Sequence, residues 1–440
     1  MRAQTFPSRE ALRRLPFTLA DVALLLGVLA LIALVVWVGQ GMFVAFQPPA
    51  VLPSVSLDPI HLPYYLLRST LRMFIALFFS FVFTFVVGWV AARNPYAERV
   101  IIPALDVLQS VPVLGFLAAT VTFFIALFPG SLLGLEAAAI FAIFTGQVWN
   151  MTFSFYYAVR SLPRDLDEAA RIYRLSLWQR FWKVAVPYSM IGLLWNAMMS
   201  FGGGWFFVSA SEAITVLNND YTLPGIGAYV AEAVRQQDVR AIVFAVIAMA
   251  LMIVVVDQLL WRPLLAWADK FKFEATAADE APRSWLYDFL RTSTLPQRLA
   301  GAWRRAHAQG PRLPQPRARL AERRSAPALS LRAQQRLEHA FNLALLLSAL
   351  LAGGGLARFV LQDVSLGEVL RVFALGAVTL LRVFVIVVGV SIVFVPIGVA
   401  IGFNPRLARF AQPLVQFFAA FPATFLFPLV TLAFLALDLS

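Results

Sequence analysis

The chain has 440 residues, 60% of them apolar and only 14% charged, with a net charge of +12. This composition, with a mean hydropathy of +0.76, excludes an ordinary soluble enzyme and specifies a polytopic membrane protein. The absence of cysteine removes disulfides and thiolate chemistry, and His61, His307 and His339 are too scattered to share a metal ion.

In chain order, residues 1–16 carry Arg2, Arg9, Arg13 and Arg14 against Glu10, and the apolar stretch Phe17–Val38 follows. It is too long for a signal-peptide core and has no small-residue cleavage site, so it reads as a retained first span with the N-terminus cytoplasmic. The prolines between 39 and 66 suit an extracytoplasmic loop. A second span is expected over Ser69–Ala92, closed by the basic turn Arg93–Arg99. Pro103 and Pro112 break residues 100–128 into an interfacial helix and a third span. A fourth span covers 135–158, a fifth about 188–214 and a sixth 240–261, with an outside loop over Leu217–Asp238.

Between the fourth and fifth spans lies the charged segment Ser161–Pro187. Asp165 and Glu168 have the spacing of a helix N-cap and its third-position partner, and Ser176 with Gln179 repeats that spacing. Two short helices joined at Tyr173-Arg174-Leu175 are therefore expected. Leu166, Ala170 and Tyr173 share one helical face, as do Leu177, Phe181 and Val184. Six basic residues between Arg160 and Lys183 place this hairpin on the cytoplasmic side. A DNA-binding role is disfavoured, because a hairpin tied at both ends to membrane spans does not enter a groove, and no nucleic-acid partner is expected.

Residues 262–337 hold fifteen Arg and Lys against six Asp and Glu, and read as a cytoplasmic linker. Within it, Trp285–Arg305 is either an interfacial amphipathic helix or a solvated tether. Two more apolar runs follow, 339–360 and 376–402. A shift of 310 aligns Leu71, Arg72, Gly88, Asn94, Pro95, Arg99, Pro103 and Pro112 with Leu381, Arg382, Gly398, Asn404, Pro405, Arg409, Pro413 and Pro422. The chain thus reads as an internal duplication, with a second copy that stops at the equivalent of residue 130 and lacks a second hairpin. The expected organisation is 1–60 (first span and outside loop), 61–272 (first unit), 273–337 (linker) and 338–440 (partial second unit).

Several polar residues sit inside apolar spans: Gln147 and Asn150 in the fourth; Asn196, Ser200, Gly202-Gly203-Gly204-Trp205, Ser209, Ser211 and Glu212 in the fifth. Three consecutive glycines serve either close helix packing or a locally opened helix whose freed N–H groups line a polar path. On the second reading Gln147, Asn150, Asn196, Ser200, Gly202–Trp205 and Ser209 line a conduit suited to a small anion. Glu212 is then expected toward the outer rim, as a gate or a structural partner.

The spacing Glu168-Ala169-Ala170, three residues, Arg174, nine residues and Val184-x-Val186-Pro187 resembles the EAA loop of ABC importer permeases. That pattern is E-A-A, three residues, Gly, nine residues, I-x-L-P. Arg174 replaces the Gly, which makes a positive φ at the turn unexpected. Ser209–Glu212 behind Trp205, the loop Leu223-Pro224-Gly225-Ile226-Gly227 and Asp257 resemble the nitrate/sulfonate/bicarbonate type, in its duplicated anion-permease branch. The resemblance implies an all-α, MetI-like permease bundle, tandem duplicated with the second copy incomplete, in the bacterial inner membrane. It implies an ATP-driven importer served by an extracytoplasmic solute-binding protein and cytoplasmic ABC ATPase subunits. Asp165, Glu168, Ala169, Ala170, Arg174, Ser176 and Pro187 then belong to the ATPase-coupling surface. No G-x-x-x-x-G-K-[ST] occurs, so ATP and Mg are expected on the partner and no cofactor, metal or catalytic residue in this chain. The alternative is an ion-gradient-driven transporter or channel using intramembrane Asp21, Asp106, Glu212 or Asp257.

Overall fold

The structure, a computed structural model, describes residues 19–45, 55–216, 219–271, 284–295 and 331–437. Among the described residues, six helices are long and apolar enough to cross a membrane. Four lie in the first part of the chain: α1 (Leu19–Gln40), α2 (Pro59–Arg93), α7 (Leu177–Glu212) and α9 (Val239–Phe271). Between α2 and α7 come α3 (Pro95–Ser110), α4 (Val113–Leu127), α5 (Leu133–Arg160) and α6 (Arg164–Ile172). The chain breaks as expected at Pro112, where α3 turns by 105° into α4, but Pro103 stays inside an unbroken α3. At 28 residues α5 is about 40 Å long, enough to cross. It is the buried centre of the bundle, packed mainly on α7, α2 and α4.

The residues that let helices approach are small. Gly88 on α2 leaves room for Phe155, Gly146 on α5 for Phe207, and Gly204 on α7 for Gln147 and Met73. Helices α2, α7 and α9 each contain a π-helical turn, at Thr84–Gly88, Phe181–Ala185 and Asp257–Trp261. The first two of these turns meet in an aromatic cluster. Phe85 lies edge-on to Phe155 and Phe181 at 5.3 and 5.7 Å, and Trp89 lies 5.2 Å from Phe181. The cluster fixes the base of the 161–187 hairpin.

The hairpin itself is two helical segments, but not capped throughout as expected. Ser176 and Gln179 make the full reciprocal capping box. Asp165 and Glu168 do not: α6 starts after Pro163, which leaves Asp165 inside the first turn. Arg174 occupies the left-handed region at φ 49°, contrary to expectation. Its neighbours supply the compensation, with the amides of Tyr173, Arg174 and Leu175 donating to the carbonyls of Ala169, Arg171 and Ala170. The second helix does not end before the fifth span; it runs through the π turn directly into α7.

One element departs from the all-helical expectation. Where an outside loop is expected, the chain forms a short antiparallel pair, β1 (Ala213–Val216) and β2 (Asn219–Thr222), in the register Ala213↔Thr222 to Val216↔Asn219. Helix α8 (Ile226–Arg235) follows. Beyond α9, α10 (Trp285–Arg291) is capped by Ser284. The next residues are no tether: Asp21 of α1, fully buried, accepts hydrogen bonds from Ser293 Oγ, Thr294 N, Thr294 Oγ1 and Leu295 N at 2.6–2.9 Å. The rest of the Trp285–Arg305 segment lies outside the described residues.

Later in the chain come α11 (Gln335–Asp363) and α12 (Leu366–Gly402), both apolar and unburied within their own unit. Next are α13 (Pro405–Ala420) and α14 (Phe427–Ala436). The described residues 331–412 make one compact unit, and 413–437 group with the described residues up to 295. Local structure recurs at the 310-residue offset. Helices α3 and α13 are both 16 residues long with an internal proline. Asn94 accepts from Tyr96 and Ala97 as Asn404 does from Arg406 and Leu407.

The left-handed Arg174 yields a direct expectation. Arg174→Gly relieves roughly 1 kcal/mol of backbone strain, less the entropy of a glycine. Hydrogen exchange at Tyr173, residue 174 and Leu175 is then expected to slow or stay unchanged. Acceleration would show that the Arg174 side chain itself holds the turn.

Candidate functional site

Three side chains from one stretch of α2 organise the buried centre. Arg72 grips Glu136, near the start of α5, through two bonds: Nε to Oε2 at 2.5 Å and Nη2 to Oε1 at 2.7 Å. Its Nη1 reaches Glu212, the last residue of α7, at 2.6 Å, and Nη2 also donates to the Pro224 carbonyl at 3.1 Å. Arg68 pairs with Glu136 as well. All four ionic side chains are 3% exposed or less. Two guanidinium groups against two carboxylates leave the cluster neutral, the condition for burying charge at all.

The loop Leu223–Gly227 folds around Glu212. Its carboxylate accepts from Ser69 Oγ at 2.5 Å and from the Gly227 amide at 2.7 Å, while the Ile226 amide donates to Ser69 Oγ at 3.0 Å. A Cβ at Gly225 would collide with the Glu212 carboxylate, and one at Gly227 with the Ser209 backbone. The glycines are therefore there for contact. The carboxylate also sits at the positive end of α8. Of the two roles expected for Glu212, gate or structural partner, its burial and its pairing with Arg72 fit the structural partner. Of the other ionisable residues named for ion coupling, Asp257 pairs with Arg262 at 2.8 Å and Asp106 accepts from Gln109.

The expected path residues divide into two sets. Gln147, Ser200, Gly204 and Trp205 face the packed α5–α7 interior. There the Gln147 amide and the Ser200 hydroxyl make no hydrogen bond among the described residues. Asn150, Asn196 and Gly203 instead lie on outer faces of the same two helices. Asn196 donates to its own helix at Gly192, and no described atom would meet a Cβ at Gly203 within 4 Å. Gly202 lies against Ala420, and Ser209 Oγ is 3.3 Å from Thr424 Oγ1. Helix α7 runs unbroken through the three glycines, so the opened-helix reading fails and close packing at Gly202 and Gly204 replaces it.

On the hairpin, Ala170 is buried and Ala169 half-buried, whereas Asp165, Glu168, Arg174 and Ser176 lie toward the surface; Pro187 lies within the first turn of the straight part of α7. Glu168 shares a pocket of about 350 Å³ with Arg93, Arg160, Arg164, Asp167 and Arg180. At the tip, Ile172, Tyr173, Leu177 and Trp178 are 69–78% exposed. The faces read from the sequence hold only at the base, where Ala170 and Phe181 are buried; Tyr173 and Leu177 lie beyond the bundle. Among the described residues no group of three His, Asp or Glu side chains is placed for a metal.

Sequence reasoning does not single out Arg68, Ser69, Arg72 and Glu136 as site residues. Ionisable residues one helical turn apart inside an apolar run are the available signal. Arg72→Met, which leaves two buried carboxylates without their bridging cation, is expected to cost about 3–5 kcal/mol. Thermal unfolding in detergent measures it, and a loss of under about 1 kcal/mol would contradict a buried lock.

Residues 84–260 match the family described as binding-protein-dependent transport system inner membrane component. The chain is 30% identical over 112 residues to the bicarbonate transport system permease protein CmpB of Synechococcus elongatus, covering 26% of this chain and 38% of that protein. It is 29% identical over 113 residues to the nitrate import permease protein NrtB of Leptolyngbya laminosa, again 26% and 38%. With the glycine betaine/carnitine transport permease protein GbuB of Listeria monocytogenes it shares 27% over 173 residues, 39% of this chain and 55% of that one. The matched regions thus span little more than a third to a half of these relatives. Apolar helices and a neutral buried cluster mark a multi-pass membrane protein, and its residues 84–260 are similar to binding-protein-dependent transport system inner membrane components.

Proposed function

We propose that the chain is a permease subunit of an ATP-driven importer for a small anion, coupled to a separate cytoplasmic ATPase through the 161–187 hairpin. The observation that carries this is the hairpin tip. Four large apolar residues stand exposed on an aromatic-anchored projection beside a charged pocket, uncovered by any described part of the chain. Exposed apolar patches of this kind are docking surfaces. The coupling set is then Asp165, Glu168, Ala169, Ala170, Arg174, Ser176 and Pro187, with Ile172, Tyr173, Leu177 and Trp178 added. On this reading the hairpin, the N-terminus and the basic linker share the cytoplasmic side, and the β1–β2 end receives a solute-binding protein.

Support for an anion comes from two directions. Relatives include proteins named for bicarbonate and for nitrate, although others are named for glycine betaine. In addition, Arg72 neutralises Glu212, which removes the negative field an anion would otherwise meet. Asn150, Asn196 and Gly203 present polar or bare surface in mid-span, where lipid contact is unfavourable. They form one wall of the conduit, and Gln147 and Ser200 stand behind it as donors that another transport state exposes.

Glu168→Lys is expected to abolish coupled uptake in reconstituted vesicles while the protein still inserts and unfolds at an unchanged temperature. Normal uptake by a normally assembled variant refutes the coupling role.

The path is tested at Gln147 and Gly203. Removing an unbonded buried amide with Gln147→Leu is expected to stabilise the bundle by about 1–3 kcal/mol, and nevertheless to reduce transport. Gly203→Cys, in a chain without cysteine, is expected to react with a membrane-impermeant thiol reagent in one transport state and to be shielded in the other. Normal transport by the Gln147→Leu variant, or a Gly203→Cys variant unreactive in every state, places the path elsewhere.

A further inference from the structure

Residues 413–437 group with the first part of the chain, and there the C-terminal part of α13 is seated on α7 and α9. Ala420 rests on Gly202, and Thr424 Oγ1 is 3.3 Å from Ser209 Oγ. Phe417 shares a cavity of about 310 Å³ with Trp205 and Trp261, and Phe425, just beyond the helix, is buried. Helix α3 is the same element 310 residues earlier, of equal length, with its own internal proline and the same asparagine cap. Its corresponding face is bare. Asp106, Val107, Ser110 and Val111 stand where α13 and its end carry Gln416, Phe417, Ala420 and Phe421. The first four are exposed and the second four half-buried. Pro112 and Gly115 are exposed too, whereas their counterparts Pro422 and Phe425 are buried.

We infer that this face of α3 is the docking surface for the α7–α9 face of a second permease unit, the reciprocal of the seat that α13 occupies. The ground is symmetry. Membrane repeats of one orientation are related by an axis along the bilayer normal. Around a two-fold axis every contact is made twice. If the α3-type helix of one repeat lies on the α7 and α9 of the other, the converse contact follows. The residues of the bare face agree. Ser110 stands where Ala420 meets Gly202, and a small side chain is what permits close helix approach at that point. Asp106, Gln109 and Ser110 are polar and exposed beside Val107 and Val111, so hydrocarbon is a poor covering for them. A second copy of this chain does not fit, because its own α13 already fills the seat on α7. The existence of a second unit rests on the proposed function; the ATPase and the cargo play no part in this pairing.

The full chain is tagged and expressed from its own chromosomal locus, with the photoreactive residue p-benzoylphenylalanine in place of Val107. Membranes are irradiated and the adducts are identified by mass spectrometry. Protein adducts are expected in a membrane helix that aligns with α7 or α9 but is not this chain's own. They are expected to exceed several-fold those from the same probe at Leu251, on the exposed face of α9. Ser110→Phe, which crowds the contact, is expected to reduce them to the Leu251 level, and Ser110→Ala, which copies α13, to keep them. The pair Gly202→Cys and Ala420→Cys reports the seat already formed, and its disulfide is expected to form equally in the Ser110→Phe background. Phospholipid adducts alone overturn the proposal, as do adducts confined to an ATPase, a solute-binding protein or a second copy of this chain. Adducts that survive Ser110→Phe, or that are lost with Ser110→Ala, overturn it as well. Adducts with an α7-like helix in a complex that shows no ATP-driven uptake keep the interface and remove the importer instead.

Discussion

A guanidinium in the middle of an apolar bundle must be neutralised by partners that come to it, and Arg72 brings together everything that surrounds it. Glu136 comes from the start of α5, Glu212 from the end of α7, and the Pro224 carbonyl from the loop beyond the strands. Three helices and one loop are therefore fixed by a single side chain from α2. The arrangement contributes little net free energy over an apolar core, since desolvation of the ions offsets their attraction. What it supplies is register: no sliding of α5 or α7 against α2 preserves both carboxylate contacts.

That constraint explains features which otherwise look unrelated. The two glycines of the 223–227 loop are needed because backbone must approach the Glu212 carboxylate and Ser209 more closely than any Cβ permits. The tight α5–α7 contact follows, and with it the burial of Gln147 and Ser200 without partners among the described residues. Unmet hydrogen-bonding groups in a bundle so firmly registered are a local cost of about 1–3 kcal/mol each.

Much of this is legible in the sequence, for identifiable reasons. Helices stand where hydropathy and proline place them, because bilayer thickness and the missing proline N–H are local constraints. The hairpin is legible through Ser176 and Gln179, whose capping box is also local. What fails depends mostly on contacts distant in sequence. Asp165 and Glu168 have the spacing of a cap, but Pro163 starts the helix a step earlier. Arg174 takes a glycine conformation because the hydrogen bonds around it outweigh its strain. The sequence leaves Glu212 open between gate and structural partner because Arg72 lies 140 residues away. The sequence leaves the start of the 285–305 segment open between helix and tether because nothing in its composition announces a carboxylate on α1.

Helix α7 has two unlike faces. One face, with Ser200, Gly204 and Trp205, is sealed against α5 and α2. The other, with Asn196, Met199 and Gly203, is open over the same turns, and Asn150 of α5 is open as well. Two amides and a bare glycine backbone in mid-span are unfavourable against lipid tails, so this face requires either water or a second protein wall. Helix α13 shows how such a wall begins, since its Ala420 already rests on Gly202 and Phe417 closes a small cavity beside Trp205 and Trp261. On the proposed function, the sealed face of α7 gives rigidity and the open face is the surface that a second unit completes.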